Sequence, residues 1–188
     1  MRRILRERPI AETATSTIRA AILTGELRPG ARIRQEELAD RLAVSRAPIR
    51  QALAVLKREG LLHTERGRGT VVAPLDAVLI RDLYQFRGIV ERFVAATLAA
   101  RSDFAFADSR AVVAAGYEAA SSANLRRLTE LDLQFHTGLY DAIGNRVLSE
   151  VMREQWVHFR RVMAATLAIG GYPQQVWDEH AAILSAIE

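Results

Sequence analysis

The stretch LDLQFHTGLYDAI, residues 131–143, sets an aspartate and a histidine one helical turn apart, Asp132 and His136. At 100° per residue both fall among Leu125, Leu128, Phe135, Leu139 and Ile143, on the side of a helix that should be buried. A carboxylate moved out of water without a partner costs several kcal/mol, so something must neutralise it. The last segment, QQVWDEHAAILSAI, repeats the anomaly, with His180 on the face of Val176, Ile183, Leu184 and Ile187. Three ionisable groups directed inward from two helices could hold a divalent metal such as Zn²⁺, Ni²⁺ or Mn²⁺ through imidazole nitrogen and carboxylate oxygen. The alternative is an Asp–His hydrogen bond inside the core and an independent, satisfied His180. Arg87 in YQFRGIVE also lies on an apolar face, near Val90 and Val94. It either pairs with Glu91 or another acid, or clamps the carboxylate of a small effector. His158 lies at the margin of its helix's apolar face and could join either site. No second carboxylate shares the Asp132 face and no separate general base stands beside it, so attack by a metal-bound water is disfavoured and the chain is not expected to be an enzyme.

A second kind of chemistry is written in AVSRAPIRQAL, residues 43–53. With Ser45 as N-cap, its hydroxyl can accept from an early backbone N–H, and Pro48 falls in the first turn, where no intrahelical donor is needed. Ile49, Leu53 and Leu56 then form one buried face, and Arg46, Arg50 and Lys57 a second stripe beside it. A hydroxyl and two arginines on the first turn of a helix held by one apolar face suit the major groove of DNA. Further on, LLHTE and TVVA flank RGRG, the pattern of a β-hairpin whose tip carries Arg66, Gly67 and Arg68. Such a wing brings charge and an unencumbered backbone close to a phosphate or a narrow minor groove. His63 belongs to this hairpin and reads as exposed or DNA-facing.

The elements needed to hold these residues can be read from periodicity. Ile10, Ala14, Ile18 and Ile22 recur every four positions in a first helix, TGELRPG breaks it, QEELADRL forms a second, and AVS is a corner. From Asp76 onward only helical patterns occur. One carries Leu79, Leu83, Phe86, Val90, Val94 and Leu98; a second, alanine-rich, precedes helices at 125–143 and 146–168; Gly170-Gly171 and Pro173 open the last. The expected fold is mostly α: a winged helix-turn-helix of three helices and a β-hairpin at residues 1–74, followed at 75–188 by an all-α antiparallel bundle.

Charge divides along the same line. Residues 1–74 hold 15 Lys and Arg against 8 Asp and Glu, and residues 75–188 hold 11 against 14, so a front at +7 is joined to a back at −3. Only the front is expected to meet a polyanion. Lys57 is the sole lysine among 26 basic residues; the rest are guanidinium groups able to grip phosphate or guanine in a two-pronged way, although a coding bias toward arginine would give the same ratio. With no cysteine among 188 residues, disulfides and thiolate metal sites are excluded. The start, MRRILRERPIAE, lacks an apolar signal core, and no run reaches the ~18 apolar residues of a membrane span, so the expected location is cytoplasmic.

Taken together, ILTGELRPGARIRQEELADRLAVSRAPIRQALAVLKREGLLHTERGRGTVV closely resembles the winged helix-turn-helix of GntR-family bacterial transcription regulators, and FRGIVE, LDLQFHTGLYDAIGN and DEHAAILSAI resemble the helical effector domain of its FadR-type (FCD) branch. The resemblance implies a homodimeric repressor that binds a palindromic operator in double-stranded DNA and releases it when a small organic acid binds. It maps Ser45, Arg46 and Arg50 onto recognition-helix contacts, Arg66 and Gly67 onto wing contacts, and Asp132, His136 and His180 onto metal ligands, with Arg87 placed to meet an effector carboxylate. It further implies one more histidine from a helix beyond the last motif, so the bundle is read as lacking its last helix and the Asp-His-His set as completed by water or effector oxygens. Glu36 stands where some relatives have arginine. The alternatives are a DNA-binding dimer whose bundle only dimerises, and a helical metalloenzyme.

Overall fold

Ile49, Ala52, Leu53 and Leu56 are all but inaccessible to solvent, and the helix that carries them is the centre of the first of two compact units, the chain dividing between Asp76 and Ala77. The computed structural model describes residues 7–103, 105–168 and 173–188. Helix α1 spans Glu7–Leu23, α2 Gln35–Arg41 and α3 Arg46–Arg58. Ala14, Ile18 and Ile22 of α1 and Leu38 and Ala39 of α2 close over the buried face of α3. Burying each large aliphatic side chain is worth about 1.5–3 kcal/mol, which fixes how α3 is rolled and leaves its arginine stripe outside. Ile10, expected in the α1 stripe, is instead 46% exposed. A four-residue spacing drifts about 40° per step on a helix of 3.6 residues per turn, and three steps carry Ile10 off the face that Ile22 occupies.

The corner between α2 and α3 is made possible by Ala43 at φ 51, a left-handed residue without glycine. Ser45 sits at the N-cap with extended backbone but its hydroxyl makes no capping bond, contrary to the capping role expected of it; the side chain is exposed. Pro48 is the third residue of α3 and is buried. Strands β1 (Leu62–Glu65) and β2 (Gly69–Val72) pair antiparallel, from Leu62 opposite Val72 to Glu65 opposite Gly69. The far edge of β2 is covered by residues 30–33: the Gly30 and Ile33 N–H groups donate to the Val72 and Thr70 carbonyls at 2.9 and 2.8 Å, and Val72 donates to Ala31 at 2.9 Å. Gly67 and Gly69, at φ 80 and 78, let the chain turn at the tip.

The second unit is entirely helical among the described residues: α4 Ala77–Ala99, α5 Ala107–Ser121, α6 Leu125–Ala142, α7 Arg146–Ala168 and α8 Pro173–Ile187. Gly170 and Gly171, expected to open the last helix, lie outside the described residues. Helix α6 is packed by α4, α5 and α7, and its first turn is capped by Asn124, whose side chain accepts from the Arg127 N–H at 3.1 Å. Leu131, Phe135, Met152, Trp156, Phe159, Trp177 and Leu184 fill the core. Helix α5 approaches α8 closely at Gly116, where an added Cβ would lie 2.1 Å from the Trp177 indole. Phe86 and Leu125, expected inside, are 37% and 47% exposed. Phe86 lies nearly 90° from the centre of the α4 face that holds Leu83, Val94 and Leu98, and Leu125 is the first residue of its helix. No described helix is long and apolar enough to cross a membrane.

Candidate functional site

In the first unit, the exposed side of α3 presents Ser45, Arg46 and Arg50. Arg50 has no hydrogen-bonding or ionic partner among the described residues, so its guanidinium is available to an external acceptor. Arg46 is paired with Glu36 of α2 at 3.2 Å, both side chains more than 60% exposed. Pairs of this exposure contribute little to stability, and the Arg46 guanidinium can leave Glu36 for a phosphate at small cost. Lys57 donates to the Thr64 hydroxyl at 2.9 Å and so ties α3 to β1. At the wing tip Arg66 and Gly67 are exposed, and Arg66 is unpaired among the described residues. Arg68 differs from Arg66: its guanidinium donates to Glu65 at 2.9 Å and to the Gly30 carbonyl at 3.1 Å, bracing the hairpin against the segment before α2. His63 is exposed on β1.

In the second unit, α6 delivers Asp132 and His136 and α8 delivers His180 to one buried point; the three side chains are 3–6% exposed. The His180 and His136 Nε2 atoms are 3.1 Å apart, and they lie 3.1 and 3.6 Å from Asp132 Oδ1. Donor atoms around a single ion at roughly 2.1 Å are separated by about 3.0–3.4 Å, so the triangle has the dimensions of one face of a coordination shell.

The neighbours of the two histidines decide which nitrogen faces that point. His136 Nδ1 lies 2.8 Å from Glu91 Oε1, and His180 Nδ1 lies against the Val176 carbonyl. Carboxylate and carbonyl oxygens only accept, so each Nδ1 carries a proton, and in the neutral form of either ring the Nε2 lone pair faces inward. Asp132 Oδ2 is buried with no hydrogen-bond partner. With both rings neutral, two imidazole lone pairs and a carboxylate converge on one point, an arrangement suited to a cation. The Nδ1 contacts with Glu91 and the Val176 carbonyl are of the kind that orient metal-ligating histidines, so the residues present fit a divalent ion.

Arg87 supplies positive charge at this place. It reaches from α4, donates through Nε to Glu91 at 2.8 Å, and donates through Nη2 to His136 Nε2. Its Cζ lies 5.3–5.9 Å from the ring centres of Tyr84, Trp156 and Phe159. Glu91 also accepts from the Tyr140 hydroxyl at 2.8 Å. Burial opposes charge on Glu91, yet its bonds with His136 and Arg87 prevail and hold its pKa down at about 2. Asp132 is likewise opposed by burial and held well below the usual carboxylate range by His136, His180 and Arg87. Burial and Arg87 act to lower the His136 pKa, but the bonds with Asp132 and Glu91 outweigh them and raise it.

The cluster forms one wall of a cavity of about 340 Å³, whose remaining lining is mostly apolar and includes Leu128, Met163, Val176, Trp177 and Ile183. His158, half-buried on α7, is not part of the cluster. Glu91, Tyr140 and the aromatic surround of Arg87 were not singled out from the sequence as one assembly. The available signal was spacing, since Arg87 and Glu91, and His136 and Tyr140, are each four residues apart.

Known protein families match both units of the chain. Residues 10–72 match the family of bacterial regulatory proteins, gntR family, and residues 82–188 match the FCD domain. The Glc operon transcriptional activator of Escherichia coli K12 is 29% identical over 96% of this chain and 80% of its own length. Two solved structures share the fold: a GntR transcriptional regulator from Rhodococcus sp. RHA1 (TM-score 0.69, 24% identity, 94% of this chain and 98% of that one) and E. coli McbR/YncC (TM-score 0.71, 17% identity, 94% and 87%). The chain belongs to the GntR family of bacterial regulatory proteins, in its FCD-domain branch, and is a transcriptional regulator rather than an enzyme.

Proposed function

We propose that this regulator is a cytoplasmic homodimeric repressor that binds a palindromic operator and releases it when a small carboxylate enters the bundle beside a divalent metal. The observation that carries the effector half of this reading is the convergence of three acceptors, Asp132 Oδ1 and the Nε2 atoms of His136 and His180, at separations of 3.1, 3.1 and 3.6 Å on a cavity wall. Asp132, His136 and His180 would hold the ion, and the ion would supply a Lewis-acid point for a carboxylate oxygen. Arg87 would bind the same carboxylate from the α4 side.

On the DNA side, Ser45, Arg46 and Arg50 would enter the major groove at the first turn of α3, and Arg66 and Gly67 would reach the backbone or minor groove from the wing. We place Arg68 as a brace for the wing first and a phosphate contact second, because two of its donors are engaged. Dimerisation is supported by α4, whose outer face carries Val78, Ile89 and Phe93, each more than half exposed. Asp82 lies within that stripe and Arg92 at its edge, ten residues apart. In an antiparallel pairing centred near Arg87, Asp82 of each copy faces Arg92 of the other, so the face complements itself. The curated relative acts as an activator at its own operon; repression by operator occlusion is the mode we assign to this chain.

The test is fluorescence anisotropy of labelled genomic fragments taken upstream of the gene, at rising salt, with the protein loaded with zinc or stripped by EDTA, and with a panel of small carboxylic acids. A salt-sensitive, fragment-specific affinity that falls when an acid is added to the zinc-loaded protein is expected. Tight binding that responds to no acid in either form would leave a bundle that only dimerises.

A further inference from the structure

Three acceptors meet on the cavity wall, and the cation that answers them in the structure is the Arg87 guanidinium, bonded to His136 Nε2, one of the atoms that would ligate a metal. A single lone pair cannot serve both. We propose that Arg87 is the resident cation of this site, that a divalent metal displaces it from His136, and that the displaced guanidinium and the metal together form a receptor for an acid carrying one negative charge. This rests on the metal-site reading above and adds an order of events, metal before acid, together with a charge requirement on the acid.

The charges of the site set the requirement. Metal ligation requires both imidazoles to be neutral; without the metal, Arg87 alone does not outweigh the carboxylates of Asp132 and Glu91, and an entering carboxylate gains little attraction. A divalent ion brings the cluster to +1. One carboxylate then neutralises it, and a second would not be matched, because the remaining lining is mostly apolar and its further charged side chain, Glu179, is acidic and exposed. Tyr140 adds no charge, since burial and Glu91 raise its pKa. Arg87 can move without losing its place: its Nε bond to Glu91 and the rings of Tyr84, Trp156 and Phe159 hold the stem of the guanidinium while Nη2 changes acceptor from imidazole to carboxylate.

Zinc affinity is measured by competition with a chromophoric chelator for the wild type, Arg87→Lys, Arg87→Gln and Asp132→Asn, with circular dichroism melting of each zinc-free protein as a control for folding. Displacement predicts that Arg87→Gln and Arg87→Lys both bind zinc at least tenfold more tightly than the wild type, because neither side chain reaches His136 with a fork of donors. If Arg87 acted only as a distant positive charge, Arg87→Lys would keep the wild-type affinity, and that result overturns the proposal. Equal or weaker zinc binding by both Arg87 variants overturns it as well. Zinc binding by the wild type that is lost in Asp132→Asn upholds the metal site whatever Arg87 does, whereas no zinc binding by any variant removes the site and the proposal together.

Thermal shift with millimolar propionate, propionamide and succinate reads the second half. Propionate should raise the midpoint of the zinc-loaded wild type and leave the EDTA-treated protein unmoved. Propionamide and succinate should do little in either form. A propionate shift of the same size in EDTA, or succinate matching propionate with zinc, overturns the charge requirement.

Discussion

Glu91 Oε1 lies 2.8 Å from His136 Nδ1 and the same oxygen lies 2.8 Å from Arg87 Nε, so one carboxylate on α4 orients both the imidazole of α6 and the guanidinium beside it. Removing its charge should show in the acid limb of stability. The Glu91 pKa is about 2 in the folded protein against an ordinary value of 4.5, which is a depressed carboxylate. Its contribution is therefore complete above pH 4.5 and is lost as pH falls toward 2. The difference corresponds to on the order of 3 kcal/mol. Glu91→Gln should lower stability at pH 7 by about that amount or less, and the loss should shrink on acidification, in urea titrations of the zinc-free protein at pH 7, 4 and 3. A constant deficit at all three values would assign Glu91 a packing role only.

Gly116 faces the Trp177 indole so closely that a methyl group would lie 2.1 Å from the ring. Rings cannot yield by that distance inside a filled core, so Gly116→Ala should force α5 and α8 apart at a cost of about 1–3 kcal/mol. Trp177 lines the cavity and lies 4.8 Å, centre to centre, from the His180 ring, so the shift should reach the site. The expected outcome is a lower melting midpoint together with weaker zinc binding. Full stability with unchanged tryptophan emission would show that α8 can rotate away.

The recognition surface predicts unequal arginines. Arg50 and Arg66 are unpaired among the described residues, while Arg68 is held by Glu65 and Gly30. Arg50→Ala should weaken specific binding by about 1–3 kcal/mol if Arg50 reads a base edge. Arg66→Ala should weaken all sequences alike and reduce the salt slope by about 1. Arg68→Ala should do less than either in the same anisotropy titration, unless the wing loosens. Arg68 proving the most damaging of the three would reverse the division of roles.

Glu36 tests the cost of an acid near the groove. Its pair with Arg46 is exposed, and Glu36 itself would face phosphate as a like charge. Glu36→Gln should free Arg46 and raise affinity for both operator and nonspecific duplex by several-fold, with a steeper salt dependence. An affinity that falls would mean Glu36 contacts a base, such as a cytosine amino group.

What could be read from the sequence, and what could not, follows from the reach of helical periodicity. It placed Asp132 and His136 on a buried face because they are four residues apart among leucines, and it placed His180 on a second such face. That the two faces meet is a property of helix packing, which periodicity does not encode. For the same reason Glu91 and Tyr140, 49 residues apart, could not be joined before the structure placed α4 beside α6. The errors lie at the margins. Ile10 drifts off its stripe, Leu125 begins its helix, and Phe86 stands at the edge of a face whose other side is apolar too. Ser45 took the cap position by sequence, but its hydroxyl does not make the bond. The brace on Arg68 depends on a contact 38 residues away.

That second apolar side of α4 is exposed. Ile89 and Phe93 are 62% and 54% exposed on one face, with Asp82 and Arg92 beside them. Large apolar side chains grouped in this way mark an interaction surface more often than a solvated one. If a second copy covers the stripe, Ile89→Glu should bring two like charges into the centre of the interface and shift sedimentation velocity from dimer to monomer at micromolar protein. Loss of the dimer should also cost operator affinity, since each half-site would then be bound alone. The charge pair supplies an independent check. Asp82→Arg alone should weaken the dimer by setting two arginines against each other, and Arg92→Asp in the same chain should restore it. Rescue in the double variant would fix the antiparallel register centred near Arg87, whereas additive loss would move the interface to another face of the bundle.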